Sequence, residues 1–413
     1  MKYLLSILFL SIIYLGGLLF IILPHDKVSV NEKRSLSPFP ILTSNNYLTG
    51  KYTDSINFYY SDNFLFRDHL IALSNKLKEK RGIKNLDIKI YTKNEKAGNL
   101  IEKNKIENNI KAADTINILN NDNEYQNIKS VIVYKNRALQ MFSGSKKVAA
   151  SFSKLMGEYK LTFPDVNVYC MAVPVGGDFY LPNNINKNNE IKFIDALYAS
   201  LVNGVIPIRA YESLKPHYKE YLQFNTDHHW TGRAAYYAYE AFCNTIGISQ
   251  VPMEKLNRKV IKGFLGTLYY YTLSPELKNN KDSVEYFKIP NETKTVYYTK
   301  NSNTPVKGNL YAESARGGNS YGVFLGGDFP LIKIVSSIKN NKKILVLKDS
   351  YGNAFVPYLA SHYEEIYVID YRYYEGGVKN LVKNNNITDI LFAHNVFMFN
   401  TNYTIVKERN FLK

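Results

Sequence analysis

Short apolar runs alternate with helix-like segments from about residue 129 to the end of this 413-residue chain, and this alternation restricts the fold more than any other feature. The runs are rich in β-branched residues, as buried strands are, and the segments between them repeat apolar residues with helical spacing. The pattern predicts an α/β domain in which helices cover both faces of a mostly parallel sheet, giving three layers. The predicted strands are 130–134, 166–173, 205–208, 344–347, 366–369 and 390–393.

Residues 251–340 interrupt this alternation. They are rich in glycine and contain short alternating segments such as 295–298, which predicts a loop-rich, partly β insertion within an α/β domain that extends over 129–413. Residues 81–128 are polar and have few apolar side chains. We therefore expect residues 25–128 to form a connector and a peripheral N-terminal segment.

Residues 3–24 contain no charged side chain. A helix of this length reaches about 30 Å, the thickness of a bilayer core. No small-residue cleavage site follows, so the pattern favours an uncleaved transmembrane signal anchor over residues 1–24 rather than a signal peptide. We expect a single-pass protein of the cell membrane with its large domain on the extracytoplasmic side, although the flanking charges alone do not set this orientation.

The net charge of +16 comes from lysines and arginines scattered along the chain. Basic runs interleaved with aromatic residues are missing from the sequence, so we expect solvated faces and no nucleic-acid partner. Cys170 and Cys243 lie in apolar runs without metal-ligand or redox spacing, which predicts buried thiols.

Asp227, His228, His229 and Trp230 stand together just before a predicted helix over 231–246. Residues two apart in an extended segment point to the same side, so Asp227 and His229 are expected to share a face. His229 can then act as a general base whose tautomer Asp227 sets, while Trp230 walls the site or stacks on a sugar. The alternative is a buried histidine pair with Trp230 in the core.

Ser350 follows the predicted strand 344–347 and precedes a predicted helix over 354–361. Ligands collect beyond the carboxyl ends of parallel strands, and unpaired N–H groups at a helix start can stabilise an oxyanion. Ser350 is therefore a candidate nucleophile, and Ser350, Gly352 and Asn395 are candidate oxyanion donors. A simple helix cap at Asp349 or Ser350 is the structural alternative.

Arg372 lies just past strand 366–369 and can bind a carboxylate or pair with Asp370. We count it, with Trp230 and Tyr351, among the candidate substrate contacts. A metal centre on the Asp-His-His stretch would need several further aspartates at strand ends. The sequence offers little beyond Asp349 and Asp370, so we expect neither a metal nor another cofactor.

With these residues in view, the chain resembles the DHHW-motif family, which is similar to the SGNH-hydrolase-like polysaccharide O-acetyltransferases of the alginate type. The matching stretches are 32–36, 39–40, 62–67, 227–230, 266–268, 349–351 and 370–372. The resemblance implies an SGNH-like domain, an acyl-serine at Ser350 with His229 and Asp227 as its triad, and a multi-pass membrane O-acyltransferase as partner. In ordinary SGNH hydrolases the serine comes early and the histidine late, whereas here the histidine comes first.

The sequence thus predicts a membrane-anchored, extracytoplasmic O-acetyltransferase that acts on an exported or cell-envelope polysaccharide. A carbohydrate acetyl esterase with the same triad is one alternative. A non-catalytic, anchored carbohydrate-binding or assembly protein is another. All catalytic versions require His229 and Ser350 to meet in space.

Overall fold

The computed structural model describes residues 2–23, 28–29, 34–67, 69–70, 73–74, 77, 88–92 and 130–413, apart from 184, 187, 188 and 301. Most of the predicted peripheral stretch 81–128 lies outside the described residues. The chain divides into two compact units, of which the first takes 1–86, 92–129 and 270–278 and the second takes the remainder. The predicted boundaries at 24 and 128 stay predictions.

The first unit contains mostly short elements: α1 (Lys2–Ile22), β1 (Val28–Ser29), β2 (Arg34–Ser35), α2 (Ser44–Leu48) and α3 (Lys51–Asn63). The Ser37 hydroxyl and N–H both donate to Asp62, at 2.8 and 3.0 Å, and tie the chain before α2 to the end of α3. Across the described part of the chain, no helix combines the length and the apolar character needed to cross a bilayer. The predicted anchor is therefore not confirmed.

From residue 88 to 246 the elements are β3 (Ile88–Thr92), β4 (Ser130–Tyr134), β5 (Arg137–Gln140), α4 (Lys146–Thr162), β6 (Asn167–Val173), α5 (Gly177–Tyr180), α6 (Asn189–Ala199), β7 (Ile206–Pro207), α7 (Ala210–Leu214) and α8 (Gly232–Ile246). From 257 to 410 they are β8 (Asn257–Phe264), α9 (Thr267–Thr272), α10 (Pro275–Asn279), β9 (Asp282–Lys288), β10 (Thr293–Thr299), β11 (Ser302–Gly308), β12 (Leu331–Ser336), β13 (Lys343–Lys348), α11 (Gly352–Leu359), β14 (Glu365–Asp370), α12 (Lys379–Asn384), β15 (Asp389–Asn395), α13 (Val396–Phe399) and α14 (Asn402–Asn410). Short 3₁₀ helices lie at Lys215–His217, Met253–Lys255 and Gly317–Val323.

A central sheet organises the second unit, and its described strands follow the order β11-β10-β12-β14-β13-β15-β6-β7. The strands from β14 to β7 are parallel. Every residue of β15 is buried, as is every residue of β13 after Lys343. Strands that are covered on both faces have nearly continuous apolar sequences, as these two strands do. The expected mixed α/β fold with a large, mostly parallel sheet is confirmed.

The predicted insertion at 251–340 differs from the expectation in its second half. Strands β8 and β9 form a separate antiparallel pair, but β10, β11 and β12 extend the central sheet by antiparallel pairing beside β14. Burial alternates along β12, as in a strand with unlike faces. The alternating segment 295–298 was predicted and lies in β10, but the sequence did not indicate that these strands pair with the central sheet.

Two groups of helices pack on the sheet. Helices α4, α6, α13 and α14 contact one another, whereas α8 contacts α7 and α11. Helix α8 begins at Thr231, whose hydroxyl accepts from the Ala234 N–H, and ends at Gly247, which has a φ of 72°. Cys170 and Cys243 are buried free thiols, as predicted.

The register of the parallel strands aligns their carboxyl ends. Lys348 at the end of β13 lies opposite Asp370 in β14 and Ala393 in β15. The residues that follow these strands therefore meet at one edge of the sheet, where open α/β folds place their ligands.

Candidate active site

The Asp-His-His-Trp stretch lies in a tight fold-back rather than in a free strand. Gln223 and Trp230 pair as an antiparallel bridge, and the turn between them is held by Asp282 at the start of β9. The Asp282 carboxylate accepts the N–H groups of Asn225 and Thr226, at 2.8 and 2.7 Å, and the Thr226 hydroxyl at 2.5 Å. Tyr221 also donates its hydroxyl to Asp282. This anchor fixes the backbone just before Asp227.

Asp227 is buried and uses both of its carboxylate oxygens. Oδ1 accepts the backbone N–H and the Nδ1–H of His229, at 3.0 and 2.6 Å. Oδ2 accepts the N–H and the hydroxyl of Thr267, at 2.9 and 3.0 Å. A Cβ on Gly266 would lie 2.1 Å from the Asp227 Cβ, so only glycine lets this loop approach the carboxylate.

The electrostatics of this turn keep Asp227 ionised. Burial alone would raise the pKa of the carboxyl group. The neighbouring His228 and His229, together with the hydrogen bonds from His229 and Thr267, outweigh that cost and hold its pKa well below the ordinary value. A charged carboxylate can only accept hydrogen bonds, so the proton on His229 must reside on Nδ1.

His229 turns its other nitrogen toward Ser350. The Nε2 and Oγ atoms are 2.7 Å apart, across 121 residues of sequence. With Nδ1 protonated, the Nε2 lone pair accepts the Ser350 hydroxyl proton. The Tyr321 ring stacks on the imidazole, with centroids 3.9 Å apart and planes 12° apart, and the Tyr321 hydroxyl donates to the Ser350 carbonyl at 3.0 Å. The His229 ring is thus held by Asp227 at Nδ1, by Ser350 at Nε2 and by the stacked ring of Tyr321.

Ser350 sits in the turn between β13 and α11 and keeps 3% of its surface exposed. Asp349 shapes this turn: its Oδ1 accepts the Tyr351 N–H at 2.8 Å, and its Oδ2 accepts the Asn395 N–H at 2.7 Å. The Trp230 indole N–H donates to the Tyr351 carbonyl at 2.9 Å. The two sequence motifs are therefore joined by contacts at Ser350 and at Tyr351.

Trp230 and Tyr351, which were predicted to contact the substrate, are buried in the structure. Trp230 is fully buried and Tyr351 is 1% exposed; the Tyr351 hydroxyl donates to the His228 carbonyl. Neither side chain presents a surface on which a sugar can stack, because both connect the motifs internally. Trp230 instead fits the structural alternative, in which it belongs to the core.

Arg372 pairs with Asp370 and with Asp328, at 2.7 and 3.0 Å. The buried Lys348 contacts the same two carboxylates, at 2.8 and 2.9 Å. Partial burial would raise the pKa of Asp328, but the charges of Lys348 and Arg372 hold it far below its usual value. The structural alternative for Arg372, pairing with Asp370, is thus present, within a network of two cations and two carboxylates.

The backbone N–H groups of two predicted oxyanion donors are engaged elsewhere. The Gly352 N–H donates to the Asp349 carbonyl at 3.1 Å, and the Asn395 N–H donates to the Asp349 carboxylate. The Asn395 side-chain oxygen caps α13 by accepting the N–H groups of Phe397 and Met398. Neither backbone N–H is available to an oxyanion in this arrangement, because both donate to Asp349.

Comparison with known proteins places this geometry in a family. The sequence model of the family described as DHHW protein matches residues 87–369. A DHHW family protein from Eubacterium siraeum, known from its crystal structure, is 30% identical with a TM-score of 0.61; the match covers 69% of this chain and 96% of that one. The chain belongs to the DHHW family.

Other solved structures resemble this DHHW chain more loosely. Bacillus cereus PatB1, solved with a sulfonyl adduct, is 22% identical with a TM-score of 0.55, covering 67% of this chain and 96% of PatB1. That likeness extends to the fold alone. The O-acetyltransferase domain of Pseudomonas putida AlgJ matches at 11% identity and a TM-score of 0.39, over 67% of this chain and 96% of that one, which is too loose to argue from. Among curated protein sequences, none matches the chain.

The family motif also contains a possible metal-ligand group. Asp227, His228 and His229 each offer one ligand atom, and these atoms lie within 4.8 Å of one another. Both ring nitrogens of His229 and one oxygen of Asp227 are already joined in the row that ends at Ser350. A metal ion bound by these three residues would have to break that row.

Several residues of this DHHW site had no role in the sequence prediction: Gly266, Thr267, Asp282 and Tyr321. A Gly-Thr pair at 266–267 was noted among the family stretches, which was the available signal for two of them. Asp282 is 56 residues from Thr226, inside the segment predicted as an insertion. Tyr321 lies in a 3₁₀ helix, and no local pattern connects it with a histidine 92 positions earlier.

Proposed function

We propose that this DHHW protein is a serine-dependent O-acetyltransferase that carries an acyl group on Ser350. The observation that supports this most directly is the continuous row from Asp227 through His229 to Ser350, with contacts of 2.6 and 2.7 Å. A nucleophile and a base within hydrogen-bond reach, with the base oriented by a third group, are the parts that acyl transfer through a serine requires.

The first half-reaction loads the serine. Ser350 Oγ attacks the carbonyl carbon of an acyl donor while His229 Nε2 takes the hydroxyl proton. The tetrahedral intermediate then expels the leaving group, which takes that proton from His229. Asp227 stays charged throughout and stabilises the imidazolium while it exists.

The second half-reaction runs the same groups in reverse. A sugar hydroxyl gives its proton to His229 Nε2 and attacks the acyl-serine, and the proton returns to Ser350 as the ester bond to the enzyme breaks. We propose an exported or cell-envelope polysaccharide as the acceptor and a multi-pass membrane O-acyltransferase as the source of the acyl group. Both proposals come from the family resemblance.

The proposed location, an extracytoplasmic domain held at the cell membrane by residues 3–24, is supported by the uncharged sequence of that segment. Membrane fractionation with alkaline extraction tests it. We expect the full chain to stay with the membrane and a chain lacking residues 1–24 to be released; release of both would contradict the anchor.

Covalent labelling tests the nucleophile. PatB1 has been solved with a sulfonyl adduct, and we expect a small sulfonyl fluoride to modify this chain at Ser350. Mass spectrometry of the digested protein should find the label on the wild type and on Ser361→Ala, a matched change just beyond the other end of α11, and none on Ser350→Ala. Absence of label from the folded wild type would favour the non-catalytic alternative.

Product analysis separates the transferase from the esterase. With an activated acetyl ester and a polysaccharide acceptor, we expect acetylated polymer in excess of free acetate, and loss of both products in Ser350→Ala. Acetate alone, with no acetylated polymer for any acceptor, would assign the same triad to hydrolysis.

A further inference from the structure

A second histidine lies beneath the Ser350 turn and has no part in the proposed chemistry. His394, near the end of β15, is fully buried. Its Nε2 is 2.8 Å from Glu408 Oε1 on α14, and its Nδ1 is 3.8 Å from Asp349 Oδ2. Nδ1 has no hydrogen-bond partner among the described residues. The ring is therefore placed between two carboxylates, one in contact and one slightly farther away.

Asp349 is the residue through which His394 can reach the site. Its carboxylate is fully buried, and its two oxygens accept the N–H groups of Tyr351 and Asn395, on either side of the serine turn. Backbone N–H groups are neutral donors, and a buried carboxylate needs a nearby positive charge to remain ionised at low cost. The His394 ring, whose Nδ1 lies 3.8 Å from Asp349 Oδ2, can supply such a charge.

We propose that His394 is a positioning residue: as an imidazolium held by Glu408, it offsets the buried charge of Asp349 and so keeps the Ser350 turn in place against His229. The inference rests on the proposed role of Ser350 as nucleophile. It assigns His394 no contact with substrate and no proton transfer, because the ring is closed off from solvent.

The charges around His394 agree with this assignment. Burial favours the neutral ring, but Glu408 from α14, Asp349 after β13 and Asp370 at the end of β14 outweigh it and raise the pKa of His394. The other titratable side chain against the ring is Tyr371, whose edge faces it at 5.5 Å and whose hydroxyl donates to the Met398 sulfur. Phe152 and Phe399 complete the surroundings of the ring with apolar edges.

Kinetics of Ser350 acylation give the first test. His394→Gln can keep a hydrogen bond to Glu408 but loses the charge, so we expect kcat to fall about 10- to 100-fold with little change in KM, as for a nucleophile displaced by a fraction of an ångström. Asp349→Asn should give a similar loss, and the double variant should lose little more than either single one. His362→Gln, which alters a half-buried histidine beside Tyr239 just after α11, is the matched control and should keep the wild-type kcat.

Two kinetic outcomes would overturn the proposal. One is a wild-type kcat for His394→Gln, which would leave the His394–Glu408 pair a purely structural tie between β15 and α14. The other is independent losses in the two single variants that multiply in the double variant, because residues that act through each other cannot be additive.

A measurement on the wild-type chain is independent of both activity and the folding of variants. Nitrogen NMR of the chain with ¹⁵N-labelled histidine should show that the His394 ring titrates above the ordinary midpoint of a histidine. Asp349→Asn should lower the titration midpoint of His394. A neutral His394 ring at pH 6, or a midpoint unchanged by Asp349→Asn, would refute the charge pairing. If Ser350 failed to react while the titration behaved as expected, the proposed function would fall but the pairing would stand.

Discussion

Two histidines lie beside the Ser350 turn, and each ring is hydrogen-bonded to a carboxylate. Asp227 contacts His229 at 2.6 Å, and Glu408 contacts His394 at 2.8 Å. The group at the other nitrogen differs: His229 faces a neutral hydroxyl at 2.7 Å, whereas His394 faces a second carboxylate at 3.8 Å. His229 also keeps 6% of its surface exposed, while His394 keeps none.

This difference explains how similar parts can serve unlike purposes. A ring between a carboxylate and a hydroxyl has one free lone pair and can accept a proton when the hydroxyl reacts. A ring between carboxylates is most stable with both nitrogens protonated, so it acts as a fixed positive charge. In the proposed mechanism, a proton moves between Ser350 and His229 during every turnover, whereas the protons on His394, between Glu408 and Asp349, stay in place.

Removal of the first imidazole should have the largest effect on activity. We expect His229→Gln to reduce the rate of Ser350 acylation about 10⁴-fold or more, because no other group in the row can take the hydroxyl proton. Stopped-flow measurement with an activated acetyl ester checks this. A loss no larger than that of His394→Gln would contradict the different roles proposed for His229 and His394.

Neutralising the acid of the first row should come next. Asp227→Asn is expected to reduce kcat about 10³- to 10⁴-fold, since an amide no longer selects the Nδ1–H tautomer. Asp195→Asn, on an exposed position of α6, is the control and should be silent.

The lowered pKa of Asp227 means that its charge, and the stability it contributes, are fully present above about pH 4 and are lost only as the pH falls through the lowered value. A kcat that falls between pH 6 and 5 in the wild type, but not in Asp227→Asn, would contradict this.

Disturbing the support of Asp227 should have an intermediate effect. The added Cβ in Gly266→Ala has to displace the Asp227 side chain, and we expect about 1–3 kcal/mol of lost stability, typical of overpacking, together with about 10- to 100-fold lower kcat. Thr267→Val removes the hydroxyl that contacts both Asp227 and His228 Nδ1 and keeps the backbone N–H, so its loss of stability should be about 1–2 kcal/mol. Denaturant unfolding and acylation rates measure both. Equal effects of the two variants would argue that hydrogen bonding, not the close backbone approach, sets the position of Asp227.

The smallest effect on activity is expected at a third buried acid, which has no imidazole beside it. Glu190 accepts the N–H groups of Val175 and Asp178, yet burial and the nearby Asp178 raise its pKa to about 8. A raised carboxyl pKa gives stability that is present below the ordinary value of 4.5 and is lost as the pH rises toward 8. We expect the free energy of unfolding to decline over this range in the wild type and less steeply in Glu190→Gln, with kcat within about twofold of the wild type because Glu190 has no contact with the row. Equal slopes would show that Glu190 is ionised in the folded state, as Asp227 is.

Much of the fold could be predicted from the sequence. The parallel strands of the sheet are continuous apolar runs, and a strand buried on both faces needs such a run wherever it lies in the chain. The pairing of Asp227 with His229 was also predicted, on the assumption of an extended segment; in the structure the two residues pair within a bend, where Asp227 also accepts the backbone N–H of His229. These are local properties, and the local sequence determines them.

Other features became visible only in the folded chain. The 2.7 Å contact between His229 and Ser350 joins residues 121 positions apart, and the sequence could offer it only as a requirement of the proposed chemistry. The Asp282 anchor, the pairing of β12 with β14 and the His394–Asp349 approach left no local signature, and the burial of Trp230 was only one of two alternatives. Each depends on which surfaces the whole chain buries together and which polar groups must then find partners, and that balance is settled by long-range packing rather than by neighbours in sequence.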